Sequence, residues 1–353
     1  MGDRAVISID GMGGDHAPGI VVEGLERFAQ TRRDLTFLLH GDEARLKPLL
    51  ARAPTAGPRT TIRHAERMVA MDDKPGQAVR QKDTSMRNAI EAVKAGEAIA
   101  AVSAGNTGAL MALSKLILRT VEGLHRPALV GTWPTQTGVS CVLDLGADID
   151  ADAEQLVEFA IMGAAFARAV HHKDNPTVGL LNIGSEELKG HESIREAAKL
   201  IRESDLNLAF HGFVEGDDIG KGTVDVVVTD GFTGNIALKT AEGVARMIST
   251  LLREALTSSL IAKVGAGLAM SALKGFQMKL DPRQVNGGVF LGLNGVVVKS
   301  HGGTDAVGFA QAISVAADMG ESRFKAEIED NLKRLMAIMK PTPVVDASEG
   351  TAR

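Results

Sequence analysis

Short β-branched and aliphatic runs alternate along the chain with longer stretches whose apolar positions recur every three or four residues. The runs predict strands over residues 6–9, 35–39, 60–64, 98–102, 128–132, 139–143, 177–181, 206–211, 224–228 and 296–299. The longer periods predict helices over 20–29, 43–50, 109–118, 153–170, 192–202, 232–256 and 304–318. Such alternation predicts an α/β protein, with a mainly parallel sheet covered by helices on both faces.

One stretch departs from the alternation. Residues 243–281 read as two consecutive helices joined near 262–267. Apolar Leu256, Leu260, Ile261, Val264 and Leu268 are interleaved there with Arg246, Arg253, Lys263 and Lys274. Two readings stay open: an oligomer-interface hairpin with a solvated basic face, or a hairpin that also touches a membrane through its apolar tip. From residue 340 onward, prolines and polar residues predict a disordered tail, 340–353.

In an open α/β sheet, ligands bind beyond the carboxyl ends of the strands. Polar, glycine-bearing loops follow five predicted strands. They are Asp10-Gly-Met-Gly13-Gly14-Asp15-His16, Ser103-Ala-Gly105-Asn106-Thr107, Asn182-Ile-Gly184-Ser-Glu186, Thr229-Asp230-Gly231-Phe-Thr233-Gly234-Asn235 and Ser300-His301-Gly302-Gly303. Two of these repeat one phrase, V-[ST]-x-G-x-T-G, at 102–108 and 228–234. Each copy leads from a strand into a helix, where N–H groups and hydroxyls suit an anion. The copies are expected to form two walls of one pocket for phosphate or a similar group. Arg80, Lys82, Arg126 and Lys189 are nearby cations in sequence. Lys189 shares its loop with Glu186 and Glu187. His301 either transfers protons near neutral pH or merely caps the following helix.

Several chemistries are excluded. The loop after the first strand lacks the third glycine of a dinucleotide fingerprint, and no P-loop occurs. Neither a G-x-S-x-G elbow nor an HExxH motif is present, so no metal is expected. Cys141, the one cysteine, lies in an apolar run and reads as a buried structural thiol. With aromatics at 3%, no Tyr and a net charge of −5, nucleic acid is not an expected partner. No apolar signal core or membrane-spanning run occurs, so a cytoplasmic location is expected. If an acyl group is transferred, the attacking atom therefore belongs to the substrate, and inorganic phosphate would serve.

The set Ile9-Asp-Gly-Met-Gly-Gly-Asp15, Val102-Ser-Ala-Gly-Asn-Thr-Gly-Ala-Leu110, Leu180-Leu-Asn-Ile-Gly184, Gly212-Phe-Val-Glu-Gly216, Val226-Val-Val-Thr-Asp-Gly-Phe-Thr-Gly-Asn235 and Lys299-Ser-His-Gly302 resembles the bacterial phosphate acyltransferases. The resemblance runs from about residue 6 to 309 in order. It implies a single three-layer α/β/α domain over 1–339, doubly wound, on the scaffold of phosphotransacetylases and isocitrate or isopropylmalate dehydrogenases. It implies reversible conversion of acyl-[acyl carrier protein] and phosphate to acyl phosphate, for phospholipid synthesis, without a cofactor or acyl-enzyme. Implied partners are a second copy, acyl carrier protein, the membrane surface and, functionally, a membrane glycerol-3-phosphate acyltransferase. Two departures occur. Ser185 and His191 replace usual polar residues, and Val285-Asn-Gly-Gly-Val-Phe-Leu-Gly292 stands where the family commonly reads Y-G-G-A-P-L-L-G.

On this reading His301, Lys189, Asn235 and Asp230 are the expected catalytic residues, with Asn235 or a nearby backbone N–H facing the thioester oxygen. The expected phosphate-binding set is Asp10, Gly13, Gly14, Lys82, Ser103, Gly105, Asn106, Thr107, Asn182, Glu186, Gly231, Thr233 and Gly234. Arg246, Arg253, Leu260, Ile261, Lys263, Val264 and Lys274 are expected to contact membrane or carrier protein. A dehydrogenase on the same scaffold and a non-catalytic phosphate-ligand regulatory module are the alternatives.

Overall fold

Eleven strands hydrogen-bond into one sheet in a computed structural model that describes residues 4–279 and 281–339. The tail expected over 340–353 lies outside the described residues. The strands are β1 (Val6–Asp10), β2 (Thr36–Gly41), β3 (Thr60–His64), β4 (Ala100–Ser103), β5 (Ala128–Thr135), β6 (Gly138–Leu143), β7 (Thr177–Leu181), β8 (Ala209–Val214), β9 (Val226–Val228), β10 (Gly288–Leu291) and β11 (Val296–Lys299). The helices are α1 (Gly19–Thr31), α2 (Glu43–Leu50), α3 (Pro75–Ala78), α4 (Ser85–Lys94), α5 (Thr107–Leu118), α6 (Ala153–His171), α7 (Glu192–Glu203), α8 (Gly216–Lys221), α9 (Gly231–Thr257), α10 (Leu260–Leu268), α11 (Met270–Lys279), α12 (Ala306–Glu321) and α13 (Phe324–Met339).

The strand order is β3-β2-β1-β4-β11-β10-β5-β6-β9-β7-β8. Most pairings are parallel, but β10 runs antiparallel to both its neighbours, and β5 and β6 form an antiparallel hairpin. Only Gln136 and Thr137 separate β5 from β6. A two-residue link joins antiparallel strands, since a parallel crossover needs a dozen residues or more. The hairpin therefore reverses the sheet: β6, β9, β7 and β8 point opposite to β1, β4 and β11. The carboxyl ends of the two sets lie on opposite edges. β10, which follows Asn286-Gly287, is absent from the expected strands, as α4 and α13 are from the expected helices.

Alternate side chains carry the two faces. Ile7, Ile9, Phe37, Leu39, Ala100 and Val102 belong to one buried cluster with α1, α6 and α12 residues such as Leu25, Phe159 and Phe309. Leu38 faces Ala92 on the other side, where Ala101 and Val297 pack with Ile90, Leu110 and Leu113 of α4 and α5. Burying each of the larger side chains among them contributes about 1.5–3 kcal/mol. The result is the three-layer α/β/α arrangement. Cys141 is fully buried, with its Sγ 3.7 Å from the Gly163 carbonyl, and burial pushes its thiol far above the usual range.

α9 differs from the other long helices. Only Gly231 and Gly234 of it are buried. Phe232, Ile236, Val244, Met247, Ile248 and Leu251 remain exposed on it, and α10 continues with Leu260, Ile261, Val264 and Leu268, each more than half exposed. The expected two-helix hairpin is thus three helices, split at Ser259, which caps α10, and again at Ala269. No helix among the described residues is long and apolar enough to cross a membrane.

Candidate active site

At the carboxyl edge of β1, β4 and β11, the chain draws three loops together. Asp10 is buried at the end of β1 and accepts a hydrogen bond from Ser103 Oγ at 2.7 Å. Ser103 in turn accepts from the Gly105 N–H at 3.0 Å. Burial lifts the Asp10 carboxyl above its ordinary value, against the hydrogen bonds from Ser103 and the Met12 N–H that lower it. A Cβ on Gly13 would collide with Asp10 and with the Gly105 nitrogen, so the two loops interlock only through glycine. Asp15 N–H donates to the Gly302 carbonyl at 2.9 Å, which adds the β11 loop.

Asn106 caps α5 by accepting from the Ala109 N–H at 2.9 Å. This cap is neutral. The N–H groups of Thr107 and Gly108 lie in the first turn, where helix geometry supplies no acceptor, and both residues are exposed. Asn106 Nδ2 also donates to the carbonyls of Met71 (2.8 Å) and Asp73 (3.0 Å). These bonds pin a strap, residues 67–84, beside the turn. Lys82 is exposed on that strap.

His301 follows β11. Its backbone N–H donates to Asn286 Oδ1 at 3.1 Å, and its Nε2 lies 3.6 Å from Glu242 Oε1 on α9. Desolvation lowers the imidazole pKa; Glu242 opposes this, while Lys299, Lys239 and Arg246 add to it. The ring is therefore predominantly neutral at neutral pH and can accept a proton. Lys299, the last residue of β11, pairs in register with Ser103. Desolvation brings its ammonium down to about 8, against the pull of Asp15 and Asp10.

The second copy of the repeated phrase lies on the other edge. Asp230 caps α9, and its carboxylate accepts both the Thr233 N–H and the Thr233 hydroxyl at 2.8 Å. An anion already occupies that helix end. Asn235 Nδ2 donates to the Leu145 carbonyl at 3.1 Å, so it clamps α9 to the loop after β6. Gly231 and Gly234 pack on the Asp148 and Asp144 carbonyls, where no Cβ fits. Asp144 is buried and accepts four backbone N–H bonds, from Leu129, Gly146, Ala147 and Asp148. Arg126 pairs with Asp148 at 2.6 Å. Beside the turn is a cleft of about 600 Å³, with Ile149, Leu181, Ile194 and Phe232 among its apolar lining and Asp150, Glu192 and Asp230 among its acids. Lys189 belongs to this edge. It is exposed and pairs with Glu186 at 3.2 Å, while its carbonyl accepts from Asn182 Nδ2 at 3.1 Å.

The expectation of one pocket between the two turns does not hold within a chain. Asp10, Gly13, Gly14, Ser103, Gly105, Asn106, Thr107 and His301 are brought together. Asn182, Glu186, Lys189, Asp230, Gly231, Thr233, Gly234 and Asn235 form a second group. Along α9 the twelve residues from Asp230 to Glu242 rise about 18 Å. Ser103 and Thr233, expected as donors to phosphate, have their hydroxyl hydrogens on Asp10 and Asp230. Lys299 and Glu242 are the residues that sequence reasoning missed. Lys299 read as a strand end; its register opposite Ser103 is what marks it. On the hairpin, Arg253 and Lys263 are exposed. Lys274 falls in α11, and its side chain is outside the described set. Among the described residues, no group of three or more His, Cys, Asp or Glu is arranged to hold a metal.

Residues 5–327 match the family model described as fatty acid synthesis protein. The chain is 58% identical over 338 residues to a phosphate acyltransferase of Caulobacter vibrioides, covering 96% of this chain and 94% of that one. The chain belongs to the phosphate acyltransferase family. A phosphate acyltransferase of Agrobacterium fabrum is 56% identical over 344 residues, covering 97% of this chain and 98% of its own. Among solved structures, the EutD phosphotransacetylase from Staphylococcus aureus superposes with a TM-score of 0.60 at 16% identity, covering 91% of this chain and 95% of that one. A phosphotransacetylase from Streptococcus pyogenes gives 0.58 at 18% identity, with the same coverage. These two likenesses concern the fold. Membership makes the chain an enzyme of acyl transfer to phosphate, in place of the dehydrogenase and regulatory-module alternatives.

Proposed function

We propose that the acyl donor is an acyl-[acyl carrier protein] thioester and that the accepting phosphate binds at the first turn. The neutral Asn106 cap carries this reading. It leaves the start of α5 open to an anion beside His301, whereas Asp230 closes the start of α9 with its own carboxylate. Thr107, Gly108 and the Gly13-Gly14 loop surround the anion, and Lys82 reaches it from the strap.

An oxygen of hydrogenphosphate attacks the thioester carbonyl carbon. The C–S bond of the tetrahedral intermediate then breaks, giving acyl phosphate and a thiolate. His301 takes the proton of hydrogenphosphate and returns it to sulfur, so no net proton is released. Glu242 orients the imidazole. Direct attack needs no enzyme nucleophile, which agrees with the burial of Cys141.

The exposed apolar residues of α9 are the surface for a second copy, since contiguous apolar patches on a helix call for a partner. The α10 tip, with Leu260, Ile261 and Val264 exposed and Lys263 beside them, contacts the inner face of the membrane. There the product passes to a membrane glycerol-3-phosphate acyltransferase. Arg246 and Arg253 receive the acidic carrier protein.

The test mixes the protein with acyl-[acyl carrier protein] and phosphate and traps acyl phosphate as the hydroxamate. Phosphate-dependent hydroxamate is expected, reduced at least tenfold in His301→Ala. No hydroxamate, or an undiminished rate in that variant, overturns the reading.

A further inference from the structure

Lys299 has an unusual environment for a lysine. It ends β11, wedged between the Ser103–Gly105 turn and the His301 loop, and is only partly exposed. Its Nζ donates to the carbonyls of Ala104 (3.4 Å) and Ser300. An ammonium has three hydrogens, and these two acceptors leave one unassigned. Among the described residues it makes no ion pair with a carboxylate. Asp10, whose carboxylate is held by Ser103 and Met12, acts on it only through space, as does Asp15.

A desolvated ammonium that meets only neutral carbonyls destabilises the fold unless a charge of opposite sign arrives. The Ala104 carbonyl that Nζ meets belongs to the turn leading into α5, whose Thr107 and Gly108 N–H groups lie in the first helical turn and whose neutral Asn106 cap supplies no anion of its own. We propose that Lys299 is a catalytic residue of the acyl transfer, its ammonium bonded directly to the phosphate that attacks the thioester. The proposal rests on the phosphate-at-first-turn reading above. It adds a fixed positive group that holds the nucleophile dianion against the oxyanion forming on the carbonyl carbon. Bound phosphate also restores the charge balance of the lysine, so phosphate affinity falls as pH rises above about 8.

A lysine that only tethered the β4 and β11 loops would behave differently, and the Lys299→Met variant separates the two roles. The melting temperature of wild type and variant is measured with and without inorganic phosphate, beside the KM for phosphate. The expected results are a phosphate-induced rise in melting temperature for wild type alone, a KM at least tenfold higher in the variant, and unliganded stability equal to or above wild type. Unchanged KM, or an unliganded variant that melts earlier while keeping its phosphate response, overturns the proposal. A Lys299→Cys variant alkylated with 2-bromoethylamine regains an ammonium at nearly the same reach. Recovery of phosphate response is expected, because the other thiol, Cys141, is fully buried. Absence of recovery counts against the ammonium.

The melting readout is independent of turnover. Wild type that responds to phosphate through Lys299 but forms no acyl phosphate leaves this inference standing and removes the acyl-transfer reading. Wild type with turnover but no loss in Lys299→Met removes the inference alone.

Discussion

Exchanging the two helix caps, Asn106→Asp and Asp230→Asn, tests which turn receives phosphate. Each change is nearly isosteric, and Asp and Asn cap helices about equally well, so α5 and α9 persist. In Asn106→Asp, the new carboxylate keeps the bond from the Ala109 N–H. It places a negative charge about 5 Å from the proposed anion, which costs about 3 kcal/mol per unit charge at an effective dielectric of ~20. Solvent at the exposed Thr107 screens roughly half of that. Against one to two charges on hydrogenphosphate a loss of about 1.5–3 kcal/mol remains, or roughly 10- to 150-fold in phosphate KM. Loss of the Asn106 Nδ2 bonds to Met71 and Asp73 loosens the strap in addition. Asp230→Asn sits some 18 Å along α9 from Glu242 and leaves phosphate KM within about twofold. The assay is initial rate against phosphate at saturating thioester, at low and high salt, because the Asn106→Asp penalty shrinks with ionic strength. A phosphate KM raised by Asp230→Asn and untouched by Asn106→Asp would refute the placement.

Other expectations follow from buried groups. Asp144→Ala orphans four backbone N–H groups and is expected to cost about 3–5 kcal/mol in urea unfolding. Asp144→Asn keeps Oδ1, which takes three of the four, and costs about 1–2 kcal/mol; equal losses in the two variants contradict this account. Burial lowers His40 and His171 to about 4 from an ordinary 6.5. Their neutral forms are favoured in the fold, so their contribution is fully present above pH 6.5 and is lost as pH falls through 4. Each accounts for up to about 3 kcal/mol. Unfolding free energy is expected to drop between pH 6.5 and 4, less steeply in His40→Gln and His171→Gln. A slope unchanged by either substitution argues against it.

The amino-acid pattern revealed the layers and the first cluster because both depend on short-range signals. Apolar runs ending in Asp10, Ser103 and Lys299 mark parallel strands whose ends meet, and Asn106 before an apolar period marks a helix start. The failure concerned direction. Strand runs carry no arrow, so sequence alone places the loops after Leu181 and Val228 on the same edge as those that follow Ile9 and Val102. The correcting signal was present in the short span between the runs ending at Thr132 and starting at Val139, too brief for a crossover helix. Side-chain partners were illegible for another reason. That Ser103 and Thr233 have already given their hydroxyl hydrogens to carboxylates depends on backbone geometry, which the repeated phrase does not encode.

α9 fixes the phase between the second glycine turn and the His301 loop. Its start is bolted to the Leu145 carbonyl by Asn235, and Glu242 meets His301 two turns later. Each residue of helix advances the side chain by about 100° and 1.5 Å. A single insertion between Asn235 and Lys239 would swing Glu242 about a quarter-turn away from the imidazole while leaving every residue of the reacting cluster in place. The spacing from the second glycine turn to Glu242 is thus a length standard. The turn can be remote from phosphate and still permit no change in its distance from it.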